Sequence, residues 1–407
     1  WEFRRVLFRS RPRINLRGLT FCNHVIGLPS AASLVVTKRC VVCKIAPREA
    51  PSERKFIMSL PGRAIVFTAP GKVELQPVTL APCGEEEIIA QTIYSFVSPG
   101  TELRLLSGVK ESVGQFPFIP GYSWVGKVVQ IGSKVAGWRE GDLVTGRNPQ
   151  PIPGMNALWG GQASHHRCTV TGPEIQAIRL PDGANPWDYV TTEVGAIAWR
   201  GTSMAMPIAG QTAVVVGQGI IGALSAKWLI TRGLRVIVTD LHTGRLERAK
   251  RWGAAGIVIG GQPDTEARIH SLIGHGADIV VEATASTQAA VFAAKFLRKN
   301  INDITRTGYP LASTQSLTAL PRLLLMATYT QTAPFLPGGV VPGEGVLVLQ
   351  PMDRTTDDRI AVIDAIRSGH LKTSDIVEKP TPVAEAPAAY AMLRDKPQDV
   401  SAVCFEW

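Results

Sequence analysis

The sequence is short of long apolar runs, of cysteine and, outside its first stretch, of net charge. No uninterrupted apolar segment approaches the roughly 18 residues a membrane-spanning helix needs, so no membrane partner is expected. The chain carries 43 Lys/Arg against 33 Asp/Glu, which would suggest a polyanionic partner if the excess were spread over the fold. It is not. Residues 1–57 hold 12 Lys/Arg and 3 Asp/Glu, and the remaining 350 hold 31 and 30, so the body is almost neutral and no nucleic acid is expected on it. Six cysteines in 407 residues, at 22, 40, 43, 83, 168 and 404, make no disulfide framework; they fit free thiols in a reducing, cytoplasmic setting. Cys40-x-x-Cys43 has no second C-x-x-C and no βαβ pattern beside it, so it is not read as a metal or redox site.

The first stretch reads unlike the rest. It is arginine-rich, sustains no amphipathic period and has no methionine before Met58. Leu7-Phe8-Arg9-Ser10 is what a common sequencing-adaptor end encodes. Residues 1–57 are therefore expected to be a disordered or artefactual leader, the native chain starting near Met58; an organelle transit peptide is the other reading of such a composition. The remainder, in a chain that is 45% apolar and 19% charged, has the length for two domains around real cores.

What is present is a phosphate cradle. The β-branched run Ala213-Val214-Val215-Val216 collapses into Gly217-Gln218-Gly219-Ile220-Ile221-Gly222, and a helix-compatible segment follows to Thr231. In a G-x-G-x-x-G turn the first glycine makes the turn, the second lets a pyrophosphate approach, and the third lets helix and strand pack closely. The helix N-terminus then offers unpaired N–H groups to the phosphates. A second strand, Arg235 to Asp240, ends in an acid where a carboxylate meets the adenosine ribose hydroxyls.

Around this unit the pattern divides the chain. Short strands punctuated by Gly and Pro, at 64–68, 73–75, 87–94, 123–131 and 141–145, predict a small β-barrel. From Trp187 the pattern turns helical, over 187–206, and then alternates: helix 243–253, strand 256–259, strand 277–284. Alternation of this kind predicts a doubly wound parallel sheet. The next strand is expected over 300–309, yet Asn-Ile-Asn-Asp-Ile-Thr-Arg-Thr-Gly-Tyr is a poor buried strand. Helices 359–368 and 384–393 and a closing strand over 400–405 end the chain.

These pieces resemble the medium-chain dehydrogenase/reductase family over about residues 62–407. The resemblance rests on Pro117 to Gly126, Gly141-Asp142-Leu143-Val144, Gly217 to Gly222, and Arg245-Leu246-Glu247-x-Ala249-Lys250-x-x-Gly253-Ala254. It implies an α/β chain built of a GroES-like β-barrel and a Rossmann doubly wound parallel sheet. Catalytic domain 58–190, Rossmann domain 191–335 and a C-terminal return 336–407 are the expected boundaries. It also implies hydride transfer between a nicotinamide and an alcohol or carbonyl, and a homodimer through the edge of the Rossmann sheet. Zinc members carry C-G-T-D in the first catalytic loop; here the aligned residues are Pro99-Gly100-Thr101-Glu102, with Ser98 taking the cysteine's place if the register slides by one. The usual G-H-E is Gly121-Tyr122-Ser123, and only Glu193 keeps an acid at the third ligand position. A catalytic zinc wants three protein ligands and an open position, so no metal is expected. The structural-zinc lobe is missing as well, and His165 and His166 point opposite ways on a strand.

Without zinc, the oxygen of a reduced carbonyl needs hydrogen-bond donors and a proton. The resemblance makes Tyr122 the donor and Thr101 its positioner, with Glu193 completing the catalytic set. Gly217, Gln218, Gly219, Ile220, Ile221, Gly222, Asp240 and Arg245 form the cofactor set. Asp240 favours NAD, since a 2′-phosphate would face its charge; Arg245 softens this, and NADP is the alternative. The Ser-Pro-Gly-Thr-Glu and Gly-Tyr-Ser loops are similar to a subgroup around bacteriochlorophyllide dehydrogenase and zinc-lacking relatives. The function expected is a zinc-independent NAD(P)-dependent oxidoreductase of a small alcohol or carbonyl. A quinone or enone reductase and a non-catalytic nucleotide-binding protein are the alternatives. Substrate side chains are expected from loops and from Gln331 to Gln350.

Overall fold

The structure, a computed structural model, describes residues 59–407 except 110–111, 173, 299–319, 330–345, 352, 378, 399 and 401. The leader, Cys22, Cys40 and Cys43, the strand expected over 300–309 and most of the segment from Gln331 lie outside the described residues.

The β-rich half folds as two sheets. β1 (Leu60–Ala69), β2 (Lys72–Leu80), β4 (Phe118–Ile119) and β7 (Asn156–Ala157) make one, in the order β2-β1-β4-β7. The other is built on β3 (Glu87–Phe96) and β5 (Ser123–Ile131), with β6 (Leu143–Gly146), β8 (His165–Thr169) and β9 (Ala177–Arg179). Its far edge is supplied by the chain's end: β17 (Cys404–Glu406) pairs antiparallel with β3 and parallel with β16 (Thr381–Pro382). The alternation expected of strands half-buried on a core holds. His165 is half-exposed and His166 buried, with its ring on Trp124, centroids 4.1 Å apart.

The second half is a six-stranded parallel sheet in the order β12-β11-β10-β13-β14-β15, the doubly wound 3-2-1-4-5-6 arrangement. Its strands are β10 (Thr212–Val216), β11 (Arg235–Asp240), β12 (Gly256–Ile259), β13 (Ile279–Glu282), β14 (Arg322–Leu325) and β15 (Leu347–Leu349). Both faces are covered, so successive residues of β10 serve different cores: Val214 and Val216 pack with Ile237 and Val280, Ala213 and Val215 with Val236 and Val281. The strand beside β13 is Arg-Leu-Leu-Leu at 322–325, a buried run of the kind that 300–309 lacked.

One expected helix is two. α2 (Pro186–Tyr189) and α3 (Thr192–Met204) replace the span 187–206. The Thr192 hydroxyl donates to Tyr189 O at 2.7 Å, and Thr191 turns its side chain to Thr373, so local side-chain bonds break the ladder between them. α3 then lies against α4 (Ile220–Thr231), where Trp228 Nε1 donates to Gly195 O at 3.0 Å. A single apolar cluster joins the halves: Phe96, Tyr122 and Val125 of the barrel, Val194 and Ala198 of α3, Ile220, Leu224 and Trp228 of α4, and Val362 and Ile366 of the helix Thr356–Arg367. Among the described residues no helix is long and apolar enough to cross a membrane.

Candidate active site

The G-x-G-x-x-G segment forms the strand-turn-helix that its spacing predicts. Gly217 has φ +89°, and a Cβ on it would lie 2.6 Å from Thr284 Cγ2. A Cβ on Gly222 would lie 2.0 Å from Gly217 O, the close approach that seats α4 on β10. A Cβ on Gly219 would meet nothing within 4 Å. That open space stands at the N-terminus of a 12-residue helix beginning at Ile220, so the residues fit a dinucleotide pyrophosphate. Asp240 closes β11 with its carboxylate pinned: Oδ2 accepts from Gln218 N at 2.6 Å and Oδ1 from His242 N at 2.9 Å. Arg245 lies 3.8 Å from Asp240 Oδ2 and spends its other Nη on Pro397 O at 2.7 Å. Arg248 is buried beside them and donates to Gln218 O at 2.7 Å; burial pulls its guanidinium down to about 10.

On the barrel side, α1 (Pro99–Leu106) opens with Pro99 at its first turn, and the Thr101 and Glu102 amides donate back to Ser98 O. Tyr122 follows β4 and is 7% exposed; its hydroxyl donates to Ser98 Oγ at 2.6 Å. Burial raises the Tyr122 pKa, while the bonds to Ser98 and Thr101 and the charge of Arg354 pull it back. Trp159 packs edge-on against the Tyr122 ring at 5.6 Å. Tyr122 and Ile220, the first residue of α4, belong to the same apolar cluster.

Glu102 is spent on the scaffold. Fully buried, it accepts from Ser98 N at 2.7 Å, from Gln162 Nε2 at 3.3 Å and from the Tyr390 hydroxyl at 2.5 Å. Burial nevertheless pushes its carboxyl up to about 7. Gln162 in turn accepts from the Ser95 hydroxyl, which accepts from Trp407 Nε1, so the chain's last residue anchors the network under α1.

Glu193 sits in a clamp of arginines. Its Oε1 accepts from Arg359 Nε at 2.6 Å and its Oε2 from Arg354 Nε at 2.7 Å. Burial alone would raise its pKa; the two guanidiniums outweigh that and hold the carboxyl below its usual range. Arg359 is otherwise satisfied by Ile175 O and Gln176 O. Arg354 carries its guanidinium 4.9 Å over the Tyr122 ring. Both arginines escape a reading by motif because they lie 161 and 166 residues from Glu193. One signal points to them: in the helix Thr356–Arg367, Arg359 takes the place of an apolar residue in the stripe with Val362, Ile363 and Ile366.

A GroES-like barrel and a Rossmann-like doubly wound parallel sheet meeting over a shared cluster define the fold class of a two-domain dehydrogenase. A family profile described as the alcohol dehydrogenase GroES-like domain matches residues 87–184. A second, described as zinc-binding dehydrogenase, matches residues 220–329. A probable zinc-binding alcohol dehydrogenase of Mycobacterium tuberculosis is 25% identical over 82% of this chain and 85% of its own length. Solved structures share the fold. An Escherichia coli alcohol dehydrogenase with NADH superposes with TM-score 0.70 at 16% identity, covering 85% of this chain and 99% of that one. A Sinorhizobium meliloti zinc-binding dehydrogenase bound to NADP gives 0.68 at 17%, covering 86% and 100%. The chain belongs to the medium-chain dehydrogenase/reductase family, a family of oxidoreductases.

The donors at the expected zinc positions do not fit the metal those names carry. Ser98 or Pro99 and Tyr122 offer no thiolate or imidazole, and both oxygens of Glu193 are taken by guanidiniums.

Proposed function

We propose that this chain is a zinc-independent, nicotinamide-dependent oxidoreductase that interconverts a small alcohol and its carbonyl. The observation that carries the reading is the environment of Glu193: the one acid retained at a ligand position is held between Arg354 and Arg359. A nicotinamide dinucleotide, which Gly217, Gly219 and Gly222 at the start of α4 and Asp240 at the end of β11 would hold, would supply a hydride to the carbonyl carbon, whose π electron pair would move onto oxygen. The Tyr122 hydroxyl, which donates to Ser98 Oγ at 2.6 Å, would turn to that oxygen and give up its proton, and the Ser98 hydroxyl would then donate to the phenolate in its place. Thr101, on the first turn of α1, holds the phenol in place. The reaction run backwards makes the phenolate the base for an alcohol.

NAD is the favoured cofactor, because the fixed carboxylate of Asp240 stands where a 2′-phosphate would carry two negative charges. The assembly we propose is a homodimer across the β15 edge of the sheet, where Val348 is exposed. The chemistry is tested by supplying NADH deuterated at C4 with ketones, aldehydes and enones. Deuterium on the carbinol carbon supports alcohol/carbonyl exchange. Deuterium only on the β-carbon of an enone, with no carbonyl reduced, moves the assignment to conjugate reduction.

A further inference from the structure

The cluster around Glu193 is unbalanced in charge. Arg147, Arg354 and Arg359 face Glu193 and Asp353: Arg147 Nη1 lies 2.9 Å from Asp353 Oδ1, Arg354 Nη1 also lies 2.9 Å from that oxygen, and the remaining pairs are those to Glu193. Three cations meet two anions. The excess is not spread evenly. Arg359 uses Nε, Nη1 and Nη2 on Glu193, Ile175 and Gln176. Arg354 uses Nε and Nη1, while its Nη2 is buried and has no hydrogen-bond partner among the described residues. A guanidinium nitrogen taken out of water without an acceptor is costly unless something negative arrives to meet it. This one belongs to a side chain that is 7% exposed and lies over the Tyr122 ring.

We infer that Arg354 is the oxyanion-binding residue of the reaction, the fixed cation that stands in for a metal Lewis acid, with Glu193 as its positioning residue. The inference rests on the reading of the chain as a carbonyl/alcohol oxidoreductase and names how that site polarises its substrate. Arg354 Nη2 and the Tyr122 hydroxyl are the two donors to the carbonyl oxygen. Nη2 stabilises negative charge as the hydride arrives, and Tyr122 supplies the proton. Glu193 cannot serve both as an acid and as this anchor. Glu193 Oε2 accepts from Arg354 Nε and Asp353 Oδ1 from Arg354 Nη1, and these two bonds fix the guanidinium plane. Sequence reasoning assigned Glu193 to the catalytic set; its contacts give it the holding role.

The test uses two readouts. Formate, small enough for any pocket that admits an aldehyde, is titrated calorimetrically into the NAD⁺ complex, and carbonyl reduction is followed with NADH. The expected result is formate binding by the native chain, its loss in Arg354→Met, and an NADH Kd within twofold of native in that variant. Turnover of Arg354→Met falls about a hundredfold, and millimolar methylguanidine restores at least a tenth of the loss in Arg354→Ala. A merely structural role would not produce that rescue. If Arg354→Met does not fold, Arg354→Lys keeps a cation against Glu193; it is expected to lose at least tenfold in kcat with KM nearly unchanged. Turnover without formate binding, or unchanged kcat in either variant, overturns the assignment of Arg354. Formate binding without turnover of any carbonyl supports the anion site and retires the oxidoreductase reading instead.

Discussion

Tyr122 donates its hydroxyl to Ser98 Oγ at 2.6 Å while the Arg354 guanidinium lies 4.9 Å over its ring. The phenol is thereby tied at its oxygen to a second hydroxyl and at its face to a cation. Burial favours the protonated form, and the cation moderates the cost of losing the proton. Tyr122→Phe removes only the oxygen. We expect kcat to fall on the order of a hundredfold or more, the scale of losing one donor to a developing oxyanion, with KM changed less than threefold. A steady-state comparison on one carbonyl substrate checks it; full activity in the variant would remove Tyr122 from the chemistry.

Gly219 and Gly222 separate binding from folding. Gly219→Ala places a methyl where no protein atom lies within 4 Å. Its melting temperature should stay within about 2 °C, since surface changes without a structural conflict move stability little, while NADH affinity drops tenfold or more. Gly222→Ala drives a Cβ to 2.0 Å from Gly217 O and should cost about 1–3 kcal/mol, the usual price of overpacking. Urea melts and fluorescence titration of NADH read the two effects. Equal loss of stability in both variants would contradict the open cradle.

The proposed preference for NAD rests on Asp240. The Gln218 and His242 amides hold both of its oxygens, so an incoming 2′-phosphate would meet a fixed acid. Asp240→Ser should narrow the ratio of NADPH to NADH dissociation constants by at least tenfold, since Arg245, now unopposed at 3.8 Å, turns from partner of an acid to partner of a phosphate. An unchanged ratio would place the selectivity elsewhere.

His166 gives the fold a pH dependence of known sign. Buried against Trp124 with Nε2 unpartnered among the described residues, it is held neutral, its pKa pulled down to about 3 chiefly by burial. The folded value lies below the ordinary 6.5. Its contribution to stability is therefore complete above pH 6.5 and is lost as pH falls toward 3. His166→Phe should lose less stability than the native chain between pH 7 and pH 4.5, measured as urea midpoints. A parallel loss in both proteins would contradict this.

How much of this was legible follows from where the information lies. β5, β11 and β12 appear in the sequence at the boundaries the structure gives them, because each is a short run of β-branched or apolar residues ended by Gly, Asp or a turn. Gly217 to Gly222 was legible for the same local reason. The Glu193 clamp was not, since its arginines come from a segment 161 and 166 residues away and carry no motif. The network of Glu102 with Tyr390 spans 288 residues and is likewise a product of the closing strand's return to β3. Local chemistry shows Pro99, Tyr122 and Glu193 where zinc members of the family carry ligands, whereas only the fold brings Arg354 and Arg359 to Glu193.

Glu193→Gln tests the clamp as a unit. It leaves Arg354 and Arg359 buried beside a neutral amide that accepts at one oxygen only, and breaking a buried pair in this way costs about 3–5 kcal/mol. We expect a large drop in urea midpoint together with loss of turnover. A stable variant with native kcat would show that the arginines need no carboxylate.

The most direct test of the central claim is elemental analysis of the purified, active protein, paired with turnover before and after exhaustive chelation. A reaction polarised by Arg354 and Tyr122 predicts far less than one zinc per chain and unchanged kcat after chelator. One tightly held zinc per chain, with activity lost on its removal and restored on its return, would contradict the account.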